Sequence, residues 1–124
     1  MFLSAVVSVY PSAGIAHGDP NLLDEKIATI SVTSADKSAP LTGTFTLPLP
    51  ERAVELVWHV QSQQNKESIT FAVSENGTTR ATNLKDGAKT RLLKGKVFYI
   101  ESVAGTDQPF LIEVYAHIVR WPKG

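Results

Sequence analysis

LTGTFTLP, residues 41–48, alternates small or apolar residues with threonine at every second position. The positions of one parity are Leu41, Gly43, Phe45 and Leu47. Successive side chains of a β-strand point to opposite faces, so a period of two predicts a strand with one buried face and one solvent-facing face. This stretch therefore predicts a sheet that has one solvent-exposed face.

The same alternation continues on both sides of residues 41–48. It recurs in KIATISVTS (26–34), RAVELVWHV (52–60), ESITFAVSE (67–75) and QPFLIEVYAHIVRW (108–121). Shorter strands are predicted in TTRAT, KTRLL and KVFYIESV. The predicted inward residues are Ala28, Ile30, Val32, Val54, Leu56, Trp58, Val60, Ile69, Phe71, Val73, Phe110, Ile112, Val114, Ala116 and Ile118.

Turn residues separate these stretches. Asn76-Gly77 is the strongest hairpin signal because both residues tolerate positive φ, and Asp86-Gly87 and Lys94-Gly95 predict further turns. One short helical turn is predicted at DPNLLDEK (19–26), with Asp19 as its cap. Roughly seven or eight short strands predict a single antiparallel β-sandwich of the jelly-roll or immunoglobulin-like type.

Composition narrows the functional classes. A chain of 124 residues is long enough for one domain with its own core. It contains no cysteine, which excludes disulfides, a thiolate nucleophile and cysteine-ligated zinc. Twelve basic residues balance twelve acidic ones, so no global field attracts nucleic acid or a membrane surface.

The first sixteen residues, MFLSAVVSVYPSAGIA, carry no charge. Gly14 and Ala16 fit the small-residue rule for signal-peptidase cleavage, which would leave residues 17–124 as a secreted or periplasmic β-sandwich domain. The alternative is a first strand, since AVVSVY has high β-propensity and no basic residue precedes it. The apolar run is shorter than the ~20 residues that span a bilayer, so no transmembrane anchor is predicted.

Histidines offer one hypothesis for a metal site. Cleavage after Ala16 would make His17 the N-terminus, whose amine and imidazole can both bind copper. His59 and His117 share the outward parity of their strands and would supply a further ligand if those strands are neighbours. The alternative is that the three histidines are ordinary surface residues and that the protein has no cofactor.

Carboxylates and aromatic residues suggest two further sites. Glu101 and Glu113 would form a glycosidase-like pair if their strands are adjacent, although no hydrolase motif supports an enzyme. Tyr99 shares the parity of Glu101, and Tyr115 that of Glu113, so outward rings lie beside carboxylates. Such a surface can stack on sugar rings and bind their hydroxyls. Leu111 and Val119 share the parity of Tyr115, which equally fits a covered, oligomeric face.

A basic segment, RATNLKDGAKTRLLKGK (80–96), carries one acidic residue. If its cations share one side of the sheet, they form a patch that would bind an anionic polymer. The residues of this predicted patch are Lys85, Lys89, Arg91, Lys94 and Lys96. The segment contains no aromatic stacking partner, so nucleic acid is not predicted. The alternative is that these cations protect edge strands from aggregation.

Together these features predict a non-catalytic exported module that binds a polymer, either a glycan or an anionic surface, or a protein partner. The alternative is a subunit of a homo-oligomeric or fibre-like assembly that pairs through strand edges. An N-terminal-histidine copper protein is the third hypothesis.

Overall fold

The computed structural model describes residues 22–36 and 38–119. They form eight strands: β1 (Leu22–Val32), β2 (Gly43–Phe45), β3 (Ala53–Gln61), β4 (Thr70–Glu75), β5 (Thr78–Leu84), β6 (Ala88–Thr90), β7 (Phe98–Ala104) and β8 (Phe110–Val119). A 3-10 turn, Lys66–Ser68, precedes β4. Two antiparallel four-stranded sheets pack together, sheet I in the order β1-β8-β3-β6 and sheet II in the order β2-β7-β4-β5. The predicted all-β sandwich is confirmed.

The strand pairing is that of a single long hairpin that has been rolled up: the first strand pairs with the last, and each further pair lies inside the one before it. β1 pairs with β8 and β2 with β7, while β3 pairs with β6 and β4 with β5. This nested pairing is the jelly-roll arrangement, which decides between the two sandwich types that the sequence left open. The first and last described strands are consequently neighbours in sheet I.

The alternation of residues 41–48 is confirmed at every predicted inward position, although only Gly43–Phe45 is strand. Thr33 and Thr42 exchange backbone hydrogen bonds of 2.9 and 2.8 Å, which join β1 to the start of β2. At this junction a Cβ on Gly43 would lie 2.7 Å from the Ser31 carbonyl oxygen. Glycine is therefore required here for close approach of the two strands.

Aromatic rings fill the space between the sheets. Trp58 is 0 % exposed, and its ring centroid lies 6.1 Å from those of Phe45 and Phe71. Phe45 also stacks on Phe98 at 5.7 Å. The Trp58 indole N–H donates to the Thr90 hydroxyl at 2.9 Å, so its polar atom is satisfied inside the core. The predicted inward residues of β8 are all buried.

Three local predictions are wrong. Residues from Leu22 onward form strand rather than helix, because pairing with β8 supplies backbone partners along the whole segment; Asp19 and Pro20 lie outside the described residues. Val54 is 49 % exposed because the β3–β8 register shifts between Ala53 and Glu55. Of the predicted strand KTRLL (89–93), only Lys89 and Thr90 are strand, as the last two residues of β6.

The β4–β5 hairpin is confirmed. Asn76 and Gly77 connect the two strands with φ values of 51° and 78°. Two consecutive positive φ angles match the twist of a tight hairpin.

Within the described residues, no helix has the length and apolar character needed to cross a bilayer. The predicted signal-like segment, residues 1–16, lies outside the described residues and stays a prediction.

Candidate functional site

The outer face of sheet I presents polar and aromatic side chains from three adjacent strands. We call this the polar face; its members are Asp24 and Lys26 on β1, Glu113, Tyr115 and His117 on β8, and Glu55, His59 and Gln61 on β3, with the buried Val57 between Glu55 and His59. They align because β8 pairs with both neighbours, and residues directly opposite each other on paired strands point to the same face of the sheet. Their alternate neighbours on β8 point into the core.

The first cross-strand row consists of Asp24, His117 and Glu55. The His117 Nδ1 atom contacts the Asp24 carboxylate, and its Nε2 atom lies 3.1 Å from Glu55 Oε2. The histidine side chain is only 12 % exposed. Both ring nitrogens are thus occupied by carboxylates on opposite sides of the ring, which fixes its orientation.

Glu113 is the centre of a second network. Its carboxylate accepts hydrogen bonds from Lys26 Nζ at 3.3 Å, from Gln61 Nε2 at 3.2 Å and from the Tyr115 hydroxyl at 3.4 Å. These three donors come from β1, β3 and β8. The carboxylate is therefore held in one position by side chains of three strands.

His59 links the polar face to the β5–β6 connection. Its ring meets Tyr115 edge to face, with centroids 5.2 Å apart. Its Nδ1 atom lies 3.7 Å from Asp86, whose other oxygen is 3.6 Å from Lys66 Nζ. Asp86 also accepts the Val60 backbone N–H at 3.0 Å. The position of Tyr115 is consequently braced by His59.

A cleft of about 380 Å³ opens where the polar face ends, between the loops that follow β3 and precede β8. We call it the amide cleft; it is lined by Gln61, Ser62, Gln63, Gln64, Thr106, Gln108, Pro109, Phe110 and Leu111. Gln61 and Leu111 are paired across β3 and β8, so the cleft continues directly from the polar face.

Sequence reasoning missed the amide cleft, although a signal was present. Residues 61–65 read QSQQN, a concentration of amide side chains in one loop. What the sequence did not indicate is that Gln108, more than forty positions later, completes the same cleft.

The structure separates the two predicted carboxylates. Tyr99 and Glu101 belong to β7 in sheet II, whereas Glu113 and Tyr115 belong to β8 in sheet I. The connection 105–109 carries the chain from one sheet to the other, and both glutamates point outward from the core. The predicted Glu101–Glu113 pair on adjacent strands is therefore wrong, and the two tyrosines lie on opposite faces of the molecule.

His59 and His117 lie on neighbouring strands and on one face, but they do not meet. His59 is opposite Glu113 and His117 is opposite Glu55. The four-residue offset along β8 corresponds to about 13 Å. In the part of the chain that the structure describes, no three or more His, Asp or Glu side chains are arranged so that they could hold a metal ion. His17 lies outside it, so the N-terminal copper hypothesis stays a prediction.

The basic segment follows the edges of both sheets, since β5 and β6 are edge strands. Arg80 pairs with Glu75, and Gly95, between Lys94 and Lys96, passes against the Glu75 carboxylate. Lys85 follows the other end of β5, five residues and about 16 Å along the strand from Arg80. Lys89 pairs in register with Val57 on the polar side, and Arg91 is exposed beyond β6. The cations thus lie on the strands that end the two sheets and on the connections that follow them, and their collection into one patch stays a prediction.

No family model matches the chain, and no curated protein or solved structure is significantly similar to it. A jelly roll supports many unrelated functions, so the function has to be argued from the side chains.

Proposed function

We propose that the protein is a non-catalytic, exported binding module whose polar face recognises a glycan polymer. The observation that carries this proposal is the network in which Glu113, Tyr115 and His59 hold one another in place. An aromatic ring can pack against the C–H face of a sugar, while carboxylate and amide groups bind its hydroxyls. Side chains already fixed before binding lose little conformational entropy when the ligand arrives.

The surroundings of Glu113 support binding rather than hydrolysis. Lys26 and Gln61 already donate to its carboxylate, and Glu101 lies in the other sheet. Glycosidases need two carboxyl groups about 5–10 Å apart across the scissile bond. The exported location is proposed from the sequence of residues 1–16, whose small residues Gly14 and Ala16 fit a cleavage site.

A glycan array read at low salt and at about 1 M salt tests this function. Tyr115→Ala is expected to weaken binding by at least about tenfold, and Tyr115→Phe by less, because the ring that stacks is retained. The matched control is Tyr99→Ala, which removes a 40 % exposed tyrosine from sheet II and should leave affinity unchanged.

Binding to neutral glycans that survives high salt supports stacking on the polar face. Binding restricted to acidic polymers and abolished by salt would favour the edge cations Lys85 to Lys96 instead. Equal losses in the Tyr115 and Tyr99 variants, or no glycan bound by the folded protein, would contradict the proposal.

Self-association through β1 is a second candidate function. Among the strands that the structure describes, β1 lies at the edge of sheet I; it contains eleven residues and has no proline. Antiparallel pairing of two copies centred on Glu25 would place Asp24 of each copy opposite Lys26 of the other. Opposite charges at directly paired positions stabilise a sheet, whereas the two Glu25 side chains would repel each other at the axis.

Light scattering across a concentration series tests this second candidate. Glu25→Gln should strengthen the dimer and Lys26→Glu should weaken it, while Lys96→Glu, the same charge change away from β1, should have no effect. A monomer in both the natural sequence and the Glu25→Gln variant at high concentration would exclude pairing through β1.

A further inference from the structure

All four glutamines of the chain line the amide cleft. Gln61 is the last residue of β3, Gln63 and Gln64 come from the loop after it, and Gln108 comes from the loop before β8. None of the described residues that line the cleft carries a charge. Its volume of about 380 Å³ lies at the lower end of the range of small-ligand pockets. Two distant parts of the sequence therefore contribute the same chemical group to one cavity.

The two loops are held in shape by their own side chains. The Ser62 hydroxyl donates to the Gln64 carbonyl at 3.0 Å and accepts the Gln64 N–H at 3.2 Å. On the other side, the Thr106 hydroxyl accepts the Gln108 N–H at 3.0 Å. The cleft thus has walls that do not need to be ordered by a ligand.

The amides present unused hydrogen-bonding atoms. Gln61 donates through Nε2 to Glu113, and Gln108 donates through Nε2 to Asp107 at 3.0 Å, which leaves an acceptor oxygen on each. Within the described residues, the side chains of Gln63 and Gln64 make no hydrogen bond, so both donors and acceptors remain. The floor adds an apolar contact from Leu111, which is 42 % exposed.

We infer that the amide cleft binds an uncharged sugar residue of the same glycan chain that the polar face engages. A hydroxyl both donates and accepts, as an amide does, whereas a charged sugar would lose hydration without meeting a counter-charge. Leu111 and Tyr115 are four residues apart on β8, about 13 Å. The ligand that reaches both is an oligosaccharide rather than a single sugar.

This inference rests on the proposed function, and its test separates the two. Calorimetric titration would use neutral cello-, malto- and chito-oligosaccharides of increasing length, with oligogalacturonates as the charged series. For a neutral series, affinity is expected to rise at least about tenfold between the monosaccharide and the tetrasaccharide, since the longer chain occupies both regions.

Gln63→Ala/Gln64→Ala is the decisive variant. Both residues are exposed in the loop, so the variant should keep the melting temperature of the natural protein. It should lower tetrasaccharide affinity at least about fivefold and flatten the dependence on length. The matched control is Thr79→Ala/Thr82→Ala, which removes polar groups from an uncharged groove on sheet II and should change nothing.

The outcomes are distinct. An effect of Tyr115→Ala without an effect of the glutamine variant overturns this inference and keeps the proposed function. An effect of the glutamine variant alone keeps a sugar site in the cleft and removes the polar face from the function. Preference for oligogalacturonates, or no binding by any series, overturns the inference.

Discussion

Asp36, in the loop between β1 and β2, shows how a single side chain organises a turn. Its Oδ1 atom accepts hydrogen bonds from the Ser38 hydroxyl and the Ser38 N–H, both at 2.8 Å, and from the Ala39 N–H at 3.1 Å. These donors, the Ser38 hydroxyl first, lower the pKa of Asp36 below its ordinary value of 3.8.

We expect an NMR titration to place the Asp36 pKa below 3.8. Because the folded-state pKa is the lower one, the stabilisation is present above the unfolded pKa and is lost as pH falls through the folded value. Ser38→Ala should raise the pKa towards 3.8, whereas Ser62→Ala, in a distant loop, should leave it unchanged. An unchanged Asp36 pKa in the Ser38→Ala variant would show that the hydrogen bond from the Ser38 hydroxyl does not lower this pKa.

Among the strands, β2 shows that side-chain burial can alternate with a period of two even where few residues form regular strand pairing. Only three residues are strand, yet burial alternates from Leu41 to Leu47 because sheet II is packed against the core on one side. The pattern therefore predicts which residues are inside more reliably than it predicts where a strand ends. The same pattern fails at Val54, since a register shift consumes one residue and reverses the parity before it.

Gly43 tests the contact between β1 and β2. Gly43→Ala should lower the free energy of unfolding by about 1–3 kcal/mol, since its Cβ would collide with the Ser31 carbonyl oxygen and with Ile30. The control is Gly77→Asn, where φ is positive but nothing lies within 4 Å; its cost should stay below about 0.5 kcal/mol. Urea unfolding followed by tryptophan fluorescence measures both. Equal losses of unfolding free energy in the two variants would show that the space between β1 and β2 does not limit which residue can stand at position 43.

For the whole molecule, the sequence predicted the two-sheet architecture and most of the core, because both follow from local alternation. It could not predict which strands become neighbours, since that depends on pairing between distant segments. Glu101 and Glu113 illustrate the difference: each has the predicted outward parity, but the sheet assignment separates them. The amide cleft was missed for the same reason, because Gln108 joins Gln61 only through the β3–β8 pairing.

The nested pairing also imposes an order on folding during synthesis. The β4–β5 hairpin can close as soon as Leu84 has left the ribosome, because its partners are adjacent in the chain. β1 must wait until Phe110–Val119 has been made before it can form its hydrogen-bonded ladder with β8. Such dependence on remote contacts slows folding and prolongs exposure to aggregation. Glu25 lies on the strand that waits longest, and repulsion between the Glu25 side chains of two copies opposes the pairing of nascent chains through β1.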